Sequence, residues 1–199
     1  MAPLKLAVTA LALLWALPAR ADPVAQWQPH IAEASARFGV PSDWIERVMR
    51  AESGGRTTLG GRPITSRAGA MGLMQLMPGT WADMRARLGL GRDPHDPRDN
   101  ILAGTFYLRL MYDRFGYPGM FAAYNAGPGR YAAYLAGRAR LPAETIAYLH
   151  AVTGGLQSAP RPAVPRLSLM DPDPRREVRD RPPAEPETDP IFFIKRPMR

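Results

Sequence analysis

Between residues 22 and 156 the apolar side chains recur at three- and four-residue spacing, and no stretch alternates apolar with polar over a useful length. That property excludes sandwiches, barrels and doubly wound sheets, whose strands need a period of two or continuous β-branched runs. The expected fold class is therefore all-α, or nearly so. Glycine and proline divide the helices. The first runs from Val24 to Phe38 and stops at Gly39, and the second starts after Pro41, with Ser42 as N-cap and Asp43 in its first turn, and ends at Gly54-Gly55. Thr80 reads as the N-cap of a third helix that sets Trp81, Met84 and Leu88 on one face before Gly89. Asp96-Pro97, an N-cap followed by proline at the first helical position, opens a fourth that carries Ile101, Leu108 and Met111 toward Gly116. Two shorter helices flank the turn at residues 125–129, and a last one begins near Pro142 with Ile146, Leu149 and Val152 on its apolar side.

The two ends of the chain differ from this middle. Lys5 precedes an apolar run from Leu6 to Leu17, too short for a bilayer span, and Pro18-Ala-Arg-Ala21 fits a signal-peptidase site. Residues 1–21 are read as a signal peptide, which implies export to the periplasm and no membrane span after cleavage. From Gln157 onward ten prolines fall among residues 157–199, interspersed with both signs of charge. Such a segment cannot bury enough apolar area to offset its ordering entropy, so a disordered tail is expected there. Its one apolar cluster, Ile191 to Ile194, is the candidate docking point for a partner. The folded domain is thus bounded at residues 22–156.

The chain has no cysteine, so disulfides and thiolate metal sites are excluded, and stability rests on packing. Loss of Lys5 and Arg20 with the leader lowers the formal charge from +8 to +6, nearly all of it arginine. A basic protein of this kind suits an anionic cell wall, and it equally suits nucleic acid or acidic lipid. No zinc-finger, RNA-sheet or helix-turn-helix pattern supports nucleic-acid binding. His30, His95 and His150 form no ligand motif, so neither a metal nor another cofactor is expected.

The chemically informative position is Glu52. It lies seven, four and three residues after Ile45, Val48 and Met49, which places a carboxylate along the apolar stripe of the second helix. Desolvation of a carboxyl raises its pKa toward the range of a general acid. On spacing alone, a helix-end charge reaching back to water is the more ordinary reading.

Three further segments follow in order: Glu52-Ser-Gly-Gly55, Gly69-Ala-Met-Gly-Leu-Met-Gln75 and Ala123-Tyr-Asn-Ala-Gly-Pro-Gly129. Together they resemble the soluble lytic transglycosylases, relatives of goose-type lysozyme, over about residues 26–155. The resemblance implies a lysozyme-like helical domain acting on peptidoglycan glycan strands, with Glu52 as acid and then base. It implies a cleft lined by Ser53, Ser66, Gly72, Met74, Gln75, Tyr124, Asn125 and Tyr148. Physically, Gly69 and Gly72 would let backbone approach a sugar, Gln75 would offer a donor and an acceptor, and Tyr124 an apolar platform with a polar tip. The ordinary alternatives are a core methionine, a buried tyrosine, a turn-forming asparagine and a loop serine. Glu144 reads as a first-turn charge favoured by the helix dipole.

Most glycosidases use two carboxylates, whereas these motifs hold one. The resembled chemistry needs one: Glu52 protonates the glycosidic oxygen of N-acetylmuramic acid and then deprotonates the C6 hydroxyl of the same sugar, which closes a 1,6-anhydro ring. The competing readings are a hydrolytic muramidase on the same fold and a sugar-binding scaffold of an envelope-spanning secretion or conjugation machine. The segment from Arg56 to Pro63 is longer than the resemblance leads one to expect.

Overall fold

The computed structural model describes residues 22–154. The expected signal peptide and the proline-rich tail lie outside the described residues. A short 3-10 turn, Ala25–Trp27, leads into α1 (Gln28–Phe38), α2 (Ser42–Glu52), a hairpin of β1 (Thr58–Leu59) and β2 (Arg62–Pro63), α3 (Pro78–Leu88), α4 (Pro97–Phe115), α5 (Gly119–Ala126), α6 (Pro128–Leu135) and α7 (Ala143–Thr153). The domain is predominantly helical, as the periodicity requires.

The core forms around α4 and α5. From Asn100 to Phe106 every residue of α4 is buried, as are Leu108 and Met111, and α5 buries Met120 to Tyr124. A helix that is apolar on all sides must be surrounded, and α1, α3 and α5 pack on α4 while α7 covers α5. The only ionic side chain buried at this centre, among the described residues, is Arg109. Its guanidinium donates to the Asp113 carboxylate at 2.9 Å and to the Phe38 carbonyl at 3.1 Å. It thereby satisfies a carbonyl that the end of α1 leaves without a helical partner.

Three boundaries differ from expectation. Ser42 is the first residue inside α2 and caps nothing; extended Pro41 offers its carbonyl to the Trp44 and Ile45 amides instead. Thr80 likewise sits inside the first turn of α3, which begins at Pro78 after an extended Met77. In both places proline stops the helix from reaching further back, so the side-chain cap is not needed. Asp96 does cap α4, accepting the Asp99 amide at 2.8 Å. On α7 the inward stripe is Thr145, Tyr148, Leu149 and Val152, spaced i, i+3, i+4, i+7, which leaves Ile146 about a quarter-turn away and 47% exposed.

The extra length at residues 56–63 folds into the exposed β-hairpin, Thr58 pairing with Pro63 and Leu59 with Arg62. Gly60 and Gly61, at φ 59° and 75°, form its two-residue turn. The ladder continues inward: the Ile64 amide donates to Thr57 O, the Gly72 amide to Ile64 O, and Met71 bridges both Thr65 and Leu76. The hairpin and the Ser66–Leu76 loop therefore form one hydrogen-bonded unit beside the end of α2.

Candidate active site

Three helix ends meet: the C-terminus of α2 with Glu52, the C-terminus of α5 with Tyr124 and Asn125, and the N-terminal turn of α7 with Glu144, Thr145 and Tyr148. Ile45, Val48 and Met49 are fully buried, so the last turn of α2 is anchored and Glu52 emerges half-buried at its end. Burial raises its pKa from 4.5 to about 7; the nearby Tyr148 hydroxyl opposes this rise and the charge of Glu144 adds to it. Glu52 therefore holds its proton near neutrality, as a general acid must.

The Tyr148 hydroxyl is buried without a hydrogen bond of regular geometry, and the carboxyl it interacts with is that of Glu52. Tyr124 lies behind them: its hydroxyl donates to Met74 O at 2.7 Å and its ring packs on Tyr107 at 5.2 Å. Burial, and then the charge of Glu52, hold both Tyr124 and Tyr148 well above the usual phenol range, so each remains a donor. Tyr148→Phe removes the group that favours the Glu52 carboxylate. The expected result is an upward shift of the high-pH limb of the activity profile, read from kcat/KM against pH; a limb that stays in place or moves down would break the assignment.

The Ser66–Leu76 loop joins the site at Met74, whose carbonyl the Tyr124 hydroxyl holds. Ser66 Oγ accepts the Ala70 amide at 3.0 Å, which leaves its own proton available. Gln75 sits at φ 49°, an uncommon conformation for a side chain, and its amide nitrogen donates to Gly72 O at 2.7 Å. One amide hydrogen is thus used within the loop, and the carbonyl oxygen and the second amide hydrogen are left for a ligand.

Several expected cleft residues face the core instead. Ser53 is 2% exposed; its hydroxyl donates to Met49 O and accepts the Gly55 amide, so it closes the end of α2. The Met74 side chain is fully buried against Gly104, where a Cβ would come within 2.4 Å of it. Only the Met74 backbone serves the site. Gly72 is also internal, because a Cβ there would lie 2.4 Å from Asn100 Nδ2, so packing requires glycine there. Tyr124, buried, supports Glu52 and offers no open platform. Asn125, partly exposed, lies in the last turn of α5, and Tyr148 lies on α7 beside Glu52. Glu144 does more than serve the helix dipole, since Glu52 feels its charge.

Two residues escaped the sequence reading. Asn100, fully buried, accepts the Met74 amide at 2.7 Å and donates to Met71 O at 3.1 Å and Pro94 O at 2.8 Å, which clamps the loop that carries Gln75. Its signal was a polar residue opening an otherwise apolar run. Thr145 Oγ1 donates to Asn125 Oδ1 at 2.8 Å, a contact that the resemblance of Glu144-Thr145 and Tyr148 to the family's closing helix did not reveal. Among the described residues no cluster of His, Cys, Asp and Glu could hold a metal, and no helix is long and apolar enough to cross a membrane.

A helical domain with one proton-holding glutamate where three helix ends and a glycine-rich loop converge is of the lysozyme-like class. Residues 29–146 match the transglycosylase SLT domain, and the chain belongs to that family. It is 38% identical over 91 residues to the transglycosylase of Enterobacteria phage PRD1, covering 46% of this chain and 31% of that protein. With the endo-type membrane-bound lytic murein transglycosylase A of Klebsiella pneumoniae it shares 35% over 92 residues, 43% of each chain. An inactive mutant of lytic transglycosylase Slt from Pseudomonas aeruginosa superposes with TM-score 0.56 and 29% identity, over 64% of this chain and 23% of that one. The chain thus spans less than half the length of these relatives.

Proposed function

We propose that the protein is an exported peptidoglycan lytic transglycosylase that cleaves the β-1,4 bond between N-acetylmuramic acid and N-acetylglucosamine. The observation that carries this reading is Glu52, a half-buried carboxyl protonated up to about pH 7. As the C1–O4 bond breaks, Glu52 gives its proton to the departing O4. The resulting carboxylate takes the proton of the C6 hydroxyl on the same sugar, O6 bonds to C1, and Glu52 is protonated again with no water consumed. Holding both reacting groups on one ring gives a large proximity advantage. The relatives named as lytic murein transglycosylases, and the inactivity of the Pseudomonas aeruginosa mutant, a Glu-to-Gln change, support this reading.

Residues 1–21 would direct the chain to the periplasm, and the tail with Ile191 to Ile194 is the segment we assign to docking on envelope-spanning secretion or conjugation machinery. A hydrolytic muramidase is the second reading, because Glu144 is a second carboxylate within electrostatic reach of Glu52 and could orient a water. Mass analysis of soluble products from purified cell wall decides between the two. Anhydromuramic termini are expected, whereas predominantly reducing ends would establish the hydrolase.

A further inference from the structure

We infer that Thr145 is a positioning residue that holds the Asn125 amide with its Nδ2 donor turned toward the bound glycan. This rests on the reading of the site as a glycan cleft. The Thr145 side chain is 2% exposed, too enclosed to meet a substrate. Its hydroxyl is not committed to its own helix. It crosses from the first turn of α7 to the last turn of α5 and donates to Asn125 Oδ1 at 2.8 Å.

A primary amide has one acceptor end and one donor end. With Oδ1 engaged by Thr145, the Nδ2 end is left over, and it is neither buried nor hydrogen-bonded to any described residue. Asn125 itself is partly exposed, beside Tyr124 and across from the α7 turn that carries Glu144 and Tyr148. The amide therefore leaves an accessible N–H beside Tyr124, and the ligand chemistry it fits is an uncharged acceptor oxygen: a sugar hydroxyl or the carbonyl of an N-acetyl group. The contact favours the orientation with Oδ1 toward Thr145 and Nδ2 away from it, and removing the Thr145 hydroxyl removes that preference. The contact also fixes α7 to α5, so the tyrosine and glutamate that adjust Glu52 share one anchor with the group that grips the sugar.

The test uses the full chain with Thr145→Val, Thr145→Ser, Asn125→Asp, Asn125→Ala and the Thr145→Val/Asn125→Ala double variant. Cleavage of purified wall is measured, and binding of N-acetylglucosamine oligomers is titrated for the same changes made in a Glu52→Gln background. Thr145→Val is expected to weaken binding and raise KM by about tenfold, with kcat changed less, as for loss of one oriented hydrogen bond. Thr145→Ser should restore both to near the parent. Asn125→Asp keeps an acceptor for Thr145 but removes the donor, so it should be as weak as Asn125→Ala, and the double variant should be no weaker than Asn125→Ala alone.

Multiplying effects in the double variant, failure of serine to rescue, or parent-like binding by Asn125→Asp would each overturn the proposal. If Thr145→Val fails to fold, the serine and aspartate variants still decide it. Reducing-end products with this binding pattern intact would overturn the lytic reading and leave the positioning role standing. Absence of oligomer binding by the parent would overturn the glycan cleft, and the positioning role with it.

Discussion

Glu52→Gln is expected to lower wall cleavage by about a hundredfold to ten-thousandfold, the range that one positioned general acid and base contributes. Gln keeps the shape and loses the exchangeable proton, so neither half of the reaction has its carrier. The same variant should be more stable than the parent in mildly alkaline solution. The folded-state pKa of Glu52, about 7, lies above its ordinary 4.5, so the unfolded chain ionises first as pH rises. Wild-type stability attributable to this group is complete below about pH 4.5 and is lost up to about pH 7. The loss amounts to roughly 3 kcal/mol for a shift of this size. Gln has no such titration, so parent and variant should melt together at pH 4 and separate by several degrees at pH 8, the inactive variant being the more stable. Activity close to wild type would end the mechanism, and identical melting at pH 8 would show that the carboxyl is not desolvated.

Asn100→Ala should produce the largest loss of stability. It leaves the Met74 amide and Pro94 O without their partner, whereas Met71 O keeps the Leu76 amide. Each unsatisfied buried group costs about 1–3 kcal/mol, so a total of roughly 3–5 kcal/mol is expected, a large share of an ordinary domain's stability. The void left beside Gly72 adds to this. Cleavage should fall as well, because the clamp holds Gln75 in its left-handed conformation. Urea unfolding and hydrogen exchange at the Met71, Met74 and Leu76 amides read the two effects. An unchanged unfolding midpoint with unchanged loop protection would show that the clamp is not needed.

Most helices were legible because each folds on a local rule: a 3.6-residue apolar period closed by glycine or opened at proline. Glu52 was legible for the same reason, its distance from Ile45, Val48 and Met49 being a matter of one helix. The residues of the glycine-rich loop were not. Nothing in its composition says that Met74 turns into the core while Gln75 turns outward, since that is settled by an asparagine 26 residues away and by the space above Gly104. Tyr124 was illegible in the same way, because its hydroxyl bonds to backbone that only the folded chain brings near, whereas Ser53 bonds within its own helix end.

The amino-acid sequence by itself determined a helical domain with a carboxylate at the end of an apolar stripe, because periodicity and helix punctuation are local. Only the tertiary structure decided that this carboxylate keeps its proton near neutrality and that Thr145 meets Asn125. Desolvation, and the reach of Tyr148 and Glu144, depend on α7 returning across the end of α2, a contact between segments distant in the chain that no local pattern encodes.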